Sequence, residues 1–127
     1  MSGKTNRTKG HQLERDIAKM FREELGYKQA KTSRLASRLL DNCQVDIFGI
    51  PFLVQAKAGY NKARPKADII FQQIEKNLSE NFPKEDPIHH YPKILVHKIS
   101  GRKKYHNLVT MSYDDFKYLM SRIDTGT

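Results

Sequence analysis

The chain has 127 residues, of which 38% are hydrophobic, and its formal net charge is +9. This size favours one domain with a real core, and no apolar run approaches the roughly 18 residues that a bilayer span needs. The positive charge predicts an anionic partner, nucleic acid before a membrane surface. The single cysteine, Cys43, excludes an internal disulfide and fits a reducing, cytoplasmic compartment; we interpret it as a packing residue.

The first part of the chain predicts a basic arm followed by a helix. Residues 1–9 are polar and lack both periodicity and the apolar segment of a secretory signal, so we expect a flexible arm. A helix is predicted from Gly10 to Leu25, with Gly26 as its stop. Its apolar residues recur at helical spacing: Leu13, Ile17, Met20, Phe21 and Leu25. Glu14 flanks this stripe. We expect residues 10–123 to form the single domain and 124–127 a tail.

The middle of the chain predicts short strands. Tyr27–Lys31 can form a first strand, and Thr32–Asn42 is either a helical turn or a loop that contacts phosphate. The segment Gln44–Lys57, QVDIFGIPFLVQAK, predicts two strands that meet at a tight turn near Gly49. A basic loop, Gly59–Ala67, follows.

The last third predicts further mixed structure. We expect a helix that Asp68 caps and that runs to about Leu78, followed by a loop that carries His89 and His90 as solvated side chains. Strands are predicted at Lys93–Ile99 and Tyr105–Met111. Ser112 and Asp115 then open a final helix. That final helix is predicted to bury Phe116, Leu119, Met120 and Ile123. The predicted order is αβββαββα, an α/β fold.

Polar groups converge on the predicted hairpin. Alternate side chains of a strand share a face, so Gln55 and Lys57 point the same way. If the chain turns on Ile50 and Pro51, Asp46 lies opposite Gln55. A carboxylate, an amide carbonyl and an ammonium then share one patch. The patch is either a site for a metal and a phosphate or the wet face of an ordinary amphipathic hairpin.

The same residues suit metal-assisted hydrolysis of a phosphodiester. That reaction needs oxygen ligands that hold Mg²⁺ and leave positions open for water and phosphate. Asp46, the side-chain carbonyl of Gln55 and the backbone carbonyl of Ala56 can supply them. Lys57 can orient or polarise the attacking water, and Glu14 can complete the shell directly or through water. Because two carboxylates are few, part of the metal affinity must come from the bound phosphate.

These residues carry a family resemblance. Asp46 followed by Gln55-Ala56-Lys57, after a helix bearing Glu14, resembles the PD-(D/E)XK nuclease superfamily. The start KGHQLERDIAKMFREELGY is similar to archaeal-type Holliday junction resolvases, which also occur in phages. The likeness covers about residues 9–60. Gln55 departs from the pattern, because it replaces the usual acidic residue; a neutral ligand weakens the cation site by one charge but keeps an oxygen in place.

The resemblance implies a restriction-endonuclease-like mixed β-sheet flanked by helices. It implies a metal-dependent endonuclease that uses Mg²⁺, with Mn²⁺ able to substitute, and that resolves four-way junctions in DNA recombination and repair. Glu14, Asp46, Gln55 and Lys57 would be catalytic, and Asp46, Gln55, Ala56 and Glu14 would hold the metal. Opposed strands of a junction need two active sites, so a homodimer is expected. The setting would be a bacterial, archaeal or phage-infected cell.

DNA contacts are expected from the basic segments. The expected backbone contacts are Lys9, Arg15, Arg34, Arg38, Lys62, Arg64 and Lys66. The resemblance implies an Arg and a Ser before the catalytic Asp, and it adds Ser37 beside Arg34. Such contacts would select DNA by shape and phosphate geometry, because the chain has little room for a separate base-reading domain. Three alternatives remain open: a nuclease of the same superfamily acting on other DNA, a catalytically decayed DNA-binding module, and a basic RNA-binding protein.

Overall fold

A computed structural model describes residues 3–58, 65–98 and 107–123, and it shows a mixed α/β fold. The elements are α1 (Gly3–Glu23), β1 (Lys31–Thr32), α2 (Ser33–Ala36), α3 (Arg38–Asn42), β2 (Ile47–Phe48), β3 (Leu53–Ala58), α4 (Ala67–Asn81), β4 (Lys93–Lys98), β5 (Asn107–Thr110) and α5 (Tyr113–Arg122). A 3₁₀ turn, Pro87–His90, precedes β4. None of the helices in these ranges is long and apolar enough to cross a bilayer.

The strands form two sheets. In the three-stranded sheet, β4 lies between β3 and β5; it runs parallel to β3 and antiparallel to β5. The register places Lys57 beside His97. The short strands β1 and β2 form a separate antiparallel pair. The backbone amide of Asp46 donates to the carbonyl of Val54 at 2.7 Å, which ties this pair to the edge of β3.

Helices cover both faces of the larger sheet. On one face α1 packs Leu13, Ile17 and Phe21 in a cluster with Val54 and Ala56 of β3. On the other, α4 contributes Ile74 and Leu78 to a cluster that contains Leu53. Side chains alternate along a strand, so Gln55 and Lys57 lie on the same face as Leu53, the α4 face. Glu14 comes from α1, which packs on the opposite face.

Two predicted helix starts were wrong. Helix α1 begins at Gly3, not at Gly10, so residues 3–9 are helical. The apolar spacing that we used marks only the packed part of a helix, and polar turns can precede it. Helix α4 begins at Ala67 with Lys66 at its N-cap position. Asp68 therefore lies in the first turn. Its negative charge interacts favourably with the positive end of the helix dipole there, but Asp68 does not cap the helix.

The predicted burial of the last helix was also wrong. Phe116, Met120 and Ile123 are 47%, 45% and 56% exposed. The helix is held at its start instead, where the Ser112 hydroxyl accepts from the amide of Asp115 at 3.0 Å. The Asp115 carboxylate accepts from the backbone amide of Lys93 at 2.9 Å, not from Ser112. An apolar spacing shows that a stripe exists, but not that the same chain covers it.

The turn before β3 depends on Gly49. Its φ is +86°, and a Cβ added there would lie 2.3 Å from the backbone oxygen of Gln29. We expect Gly49→Ala to lower the free energy of unfolding by about 3 kcal/mol or more, because both the φ and the backbone contact resist a side chain. Urea denaturation measures this loss.

The matched control is Gly10→Ala. Gly10 lies in α1 with open space around its Cα, so alanine should stabilise the protein by up to about 1 kcal/mol. Equal urea midpoints for the Gly49 variant and the wild type would contradict the described turn.

Candidate active site

Asp46 is fixed by backbone contacts at the β3 edge. Its carbonyl accepts from the amide of Ser33 at 2.7 Å, and its amide donates to Val54. Its carboxylate Oδ2 accepts from the backbone amide of Ala56 at 2.7 Å. These bonds place Asp46 alongside Gln55, but the predicted hairpin was wrong in its pairing, because β2 pairs with β1 and not with β3. The side chain is oriented inward, since Asp46 is only 7% exposed.

Burial raises the pKa of Asp46 to about 7. The hydrogen bond from Ala56 lowers that pKa, the negative charge of Glu14 raises it, and the positive charge of Lys57 lowers it. Glu14 and Lys57 therefore both lie within electrostatic range of the carboxyl. A cation bound to this group would compensate for the missing solvation and favour the carboxylate.

Gln55 presents an unsatisfied oxygen. The residue is 7% exposed, and its Oε1 has no hydrogen-bond partner among the described residues. A buried acceptor left in this state costs about 1–3 kcal/mol. A cation would satisfy it. The hydroxyl of Ser33, which is fully buried next to Asp46, is likewise without a partner in the described part of the chain.

Glu14 is paired with an arginine. Arg34 Nη2 lies 2.5 Å from Glu14 Oε1, and the two side chains are 33% and 13% exposed. Arg34, predicted as a DNA contact, thus lies in the same cluster as the predicted catalytic carboxylate. The guanidinium neutralises Glu14 and keeps unused donors, because it carries five N–H groups.

Lys57 and His97 extend the site along the α4 face. Lys57 is half-buried and lies two residues after Gln55, on the same face. His97, its neighbour in β4, is 3% exposed. Our sequence reasoning missed His97 and Ser33. For His97 the signal was present, because it alternates with the buried Leu95 in a predicted strand.

The donor types suit a hard cation, although Glu14 belongs to α1, on the face of the sheet opposite Gln55. Asp46, Gln55 and Glu14 offer oxygen atoms, which Mg²⁺ and Mn²⁺ prefer, and the unsatisfied Gln55 oxygen is the feature that such an ion would explain. The carbonyl of Ala56 remains the predicted backbone ligand. The described residues include no cluster of three or more His, Cys, Asp or Glu that could hold a metal. Any such site therefore depends on neutral oxygens and on a bound phosphate.

The predicted DNA contacts have different surroundings. Lys9, Arg15, Arg38 and Lys66 are exposed. The Ser37 hydroxyl accepts from the amide of Leu40 at 3.2 Å and caps α3, so it has a local structural role that the sequence did not indicate. Lys62 and Arg64 lie outside the described residues, as do Tyr60, the predicted turn at 100–104 and Tyr105.

A basic groove is lined by α1 and β1, including Arg15, the neighbour of Glu14 in sequence. Its volume is about 390 Å³, and Arg15, Lys19 and Arg22 of α1 line it together with Lys31 of β1. Asp16 is the one acidic residue in the lining. The three α1 positions follow one another at helical spacing, over about 10 Å of axis. Positive charges in such a row suit the backbone of one nucleic-acid strand.

The remaining reactive side chains have structural surroundings. His89 Nε2 lies 2.8 Å from the carbonyl of Pro83, and a 3₁₀ turn, Pro87–His90, lies within the predicted loop. Cys43 is fully buried in the α4 cluster, and burial raises the pKa of its thiol. This surrounding agrees with a packing role for Cys43.

Comparisons of the chain with models of known protein families, with curated proteins and with solved structures found no match. Function must therefore be argued from the chemistry of the site.

Proposed function

We propose that this protein is a Mg²⁺-dependent DNA endonuclease of the PD-(D/E)XK type that cuts branched DNA such as four-way junctions. The element order supports a restriction-endonuclease-like fold. Apart from the short α2 and α3 and the 3₁₀ turn, the described elements follow one another as αβββαββα. The resemblance over residues 9–60 supports the choice of superfamily and of the junction substrate.

The central observation is the pair of buried oxygens at the β3 edge. Asp46 loses solvation and Gln55 has an unsatisfied Oε1, and both effects cost stability. A protein can tolerate this loss of stability where the binding of a ligand offsets it. The charges of Glu14 and Lys57, both felt at Asp46, make a divalent cation and an anionic substrate the best-fitting pair of ligands.

Each residue of the candidate site would have a separate role in hydrolysis. Asp46 and Gln55 would hold the cation, with the carbonyl of Ala56. A bound divalent cation supplies Lewis acidity and lowers the pKa of a coordinated water. Lys57, on the same face as Gln55, would orient the attacking water and stabilise developing negative charge. Arg34, beside Glu14, would donate its remaining N–H groups to a phosphate oxygen.

The basic groove supports a DNA substrate. Arg15, Lys19, Arg22 and Lys31 can follow a phosphate backbone, but they give no base-specific readout. Selectivity would then come from the shape of the DNA. For a four-way junction, two copies of the site would cut opposed strands.

The decisive experiment uses labelled four-way junction and a linear duplex of matched sequence, each with Mg²⁺, Mn²⁺ or EDTA. We expect junction cleavage with either metal, none in EDTA, and much slower cleavage of the duplex. Equal cleavage of both substrates would favour a nuclease of the same superfamily with another DNA target. Binding without cleavage in either metal would overturn the proposed activity.

A catalytically decayed DNA-binding module is the second candidate. Two observations favour it: Arg34 already neutralises Glu14, and Gln55 contributes no charge. This candidate predicts tight, salt-sensitive DNA binding and no hydrolysis.

Gln55→Glu tests the ligand role of Gln55. The substitution adds a negative charge to a site that has few negative charges. We therefore expect cleavage to be preserved or raised, and the Mg²⁺ concentration needed for half-maximal cleavage to fall by roughly threefold to tenfold. Cleavage is measured across a Mg²⁺ titration. Gln72→Glu, at an exposed position of α4, makes the same change away from the site and should have no effect. Complete loss in the Gln55 variant would mean that this residue has another role.

A further inference from the structure

Helix α5 exposes an unusual amount of apolar surface. Five large hydrophobic side chains that are at least 45% exposed lie between Tyr113 and Ile123. No residue of the helix is buried. Contiguous exposed apolar surface of this kind marks an interaction site in a stable protein.

Four of these five side chains form one seam. Tyr113, Phe116, Met120 and Ile123 are separated by three, four and three residues, the spacing of a coiled-coil contact. The fifth, Tyr118, lies on the opposite side of the helix, where Arg122 stacks over its ring at 4.9 Å from the centroid. Most of the exposed apolar surface therefore lies on one side of α5.

The seam is symmetric about position 118. Tyr113 and Ile123 lie five residues on either side of it, and Phe116 and Met120 lie two residues on either side. Two such helices placed antiparallel around a twofold axis would bring Phe116 opposite Met120 of the partner subunit. They would also bring Tyr113 opposite Ile123 of the partner subunit. A self-complementary pattern is what an isologous contact requires.

The charges of α5 favour the same arrangement. The first turn carries Asp114 and Asp115, and the last turn carries Arg122. An antiparallel pair aligns the acidic end of each helix with the basic end of the other, and it also opposes the two helix dipoles. A parallel pair would align like charges at both ends.

We propose that α5 is a self-association surface and that its occupant is a second copy of this chain, with the two α5 helices antiparallel. A seam of this length is small compared with obligate interfaces, so we expect a reversible dimer with a Kd on the order of 10 µM. The proposed function already calls for two copies of the site; this proposal adds the surface that joins them, and it is measured without DNA. Failure of either proposal can therefore be recognised separately.

Sedimentation equilibrium of the full chain tests the surface. We expect a dimer in the wild type and a monomer for Phe116→Glu, because a charge in the seam would be buried without a partner. Tyr118→Glu introduces the same charge on the opposite side of α5 and should remain dimeric. Circular dichroism shows whether each variant keeps its helices, and Met120→Glu provides a second seam variant if one fails to fold. A wild-type monomer at about 100 µM, or equal behaviour of the Phe116 and Tyr118 variants, would overturn the proposal.

Disulfide trapping tests the antiparallel register. Phe116→Cys and Met120→Cys are prepared separately, one with a longer tag, and then mixed under oxidising conditions. The antiparallel register predicts that the mixed cross-linked dimer dominates, since a disulfide requires Cα atoms within about 7 Å. Dominance of either self-linked dimer would overturn the register. The wild type, whose Cys43 is buried, is the control for other cross-links.

Discussion

Asp46→Asn is expected to abolish cleavage in Mg²⁺, to below about a thousandth of the wild-type rate, and to leave DNA binding intact or tighter. The amide keeps the shape of the side chain and can still accept the hydrogen bond from Ala56. It removes the charge that would hold the cation. It also removes a negative charge that would repel phosphate.

Cleavage and binding must be measured on the same junction. The cleavage rate is followed in Mg²⁺, and binding is measured in EDTA at several salt concentrations. Asp68→Asn, at an exposed position in the first turn of α4, removes the same charge elsewhere and should retain activity. Persistent cleavage by the Asp46 variant would refute the metal role, whereas joint loss of binding and cleavage would indicate damage to the fold.

Asp46→Asn is also expected to stabilise the metal-free protein at high pH. In the unfolded chain an aspartate ionises near pH 4, whereas burial raises the pKa of folded Asp46 to about 7. Between these values the unfolded state has released a proton that the folded state retains. The free energy of unfolding of the wild type therefore falls as pH rises through this window and levels off above about pH 7.

The stabilisation is measured by urea denaturation in EDTA at pH 5 and pH 8. Asparagine has no proton to release, so its advantage over the wild type should grow with pH to at most about 4 kcal/mol at pH 8. Asp68→Asn serves again as the control and should show no such growth. An advantage that is the same at both pH values would mean that Asp46 is not desolvated as described.

The parts of the site that were predictable are those set by local geometry. The alternation of a strand places Gln55 and Lys57 on one face whatever the rest of the chain does. The turn near Gly49 then brings Asp46 alongside Gln55. The first relation follows from the strand alone. The second was predicted from a hairpin of β2 and β3, whereas β2 pairs with β1 and a single backbone bond from Asp46 to Val54 makes the contact.

The parts that were missed depend on distant contacts. Arg34 meets Glu14 across twenty positions of sequence, and no periodicity reports such a pairing. Likewise, the spacing of Phe116 and Met120 predicted an apolar stripe correctly, but burial depends on whether another surface covers that stripe. The early start of α1 was missed for a different reason, because polar turns carry no packing signal.

The hydrogen bond between Asp115 and Lys93 links the last helix to the central strand. Lys93 opens the central strand β4, and its ammonium also pairs with Glu75 of α4 at 3.2 Å. One residue thus fastens the last helix and α4 to the strand that runs beside Lys57. A partner that pulls on α5 would therefore also pull on the sheet that carries the candidate site.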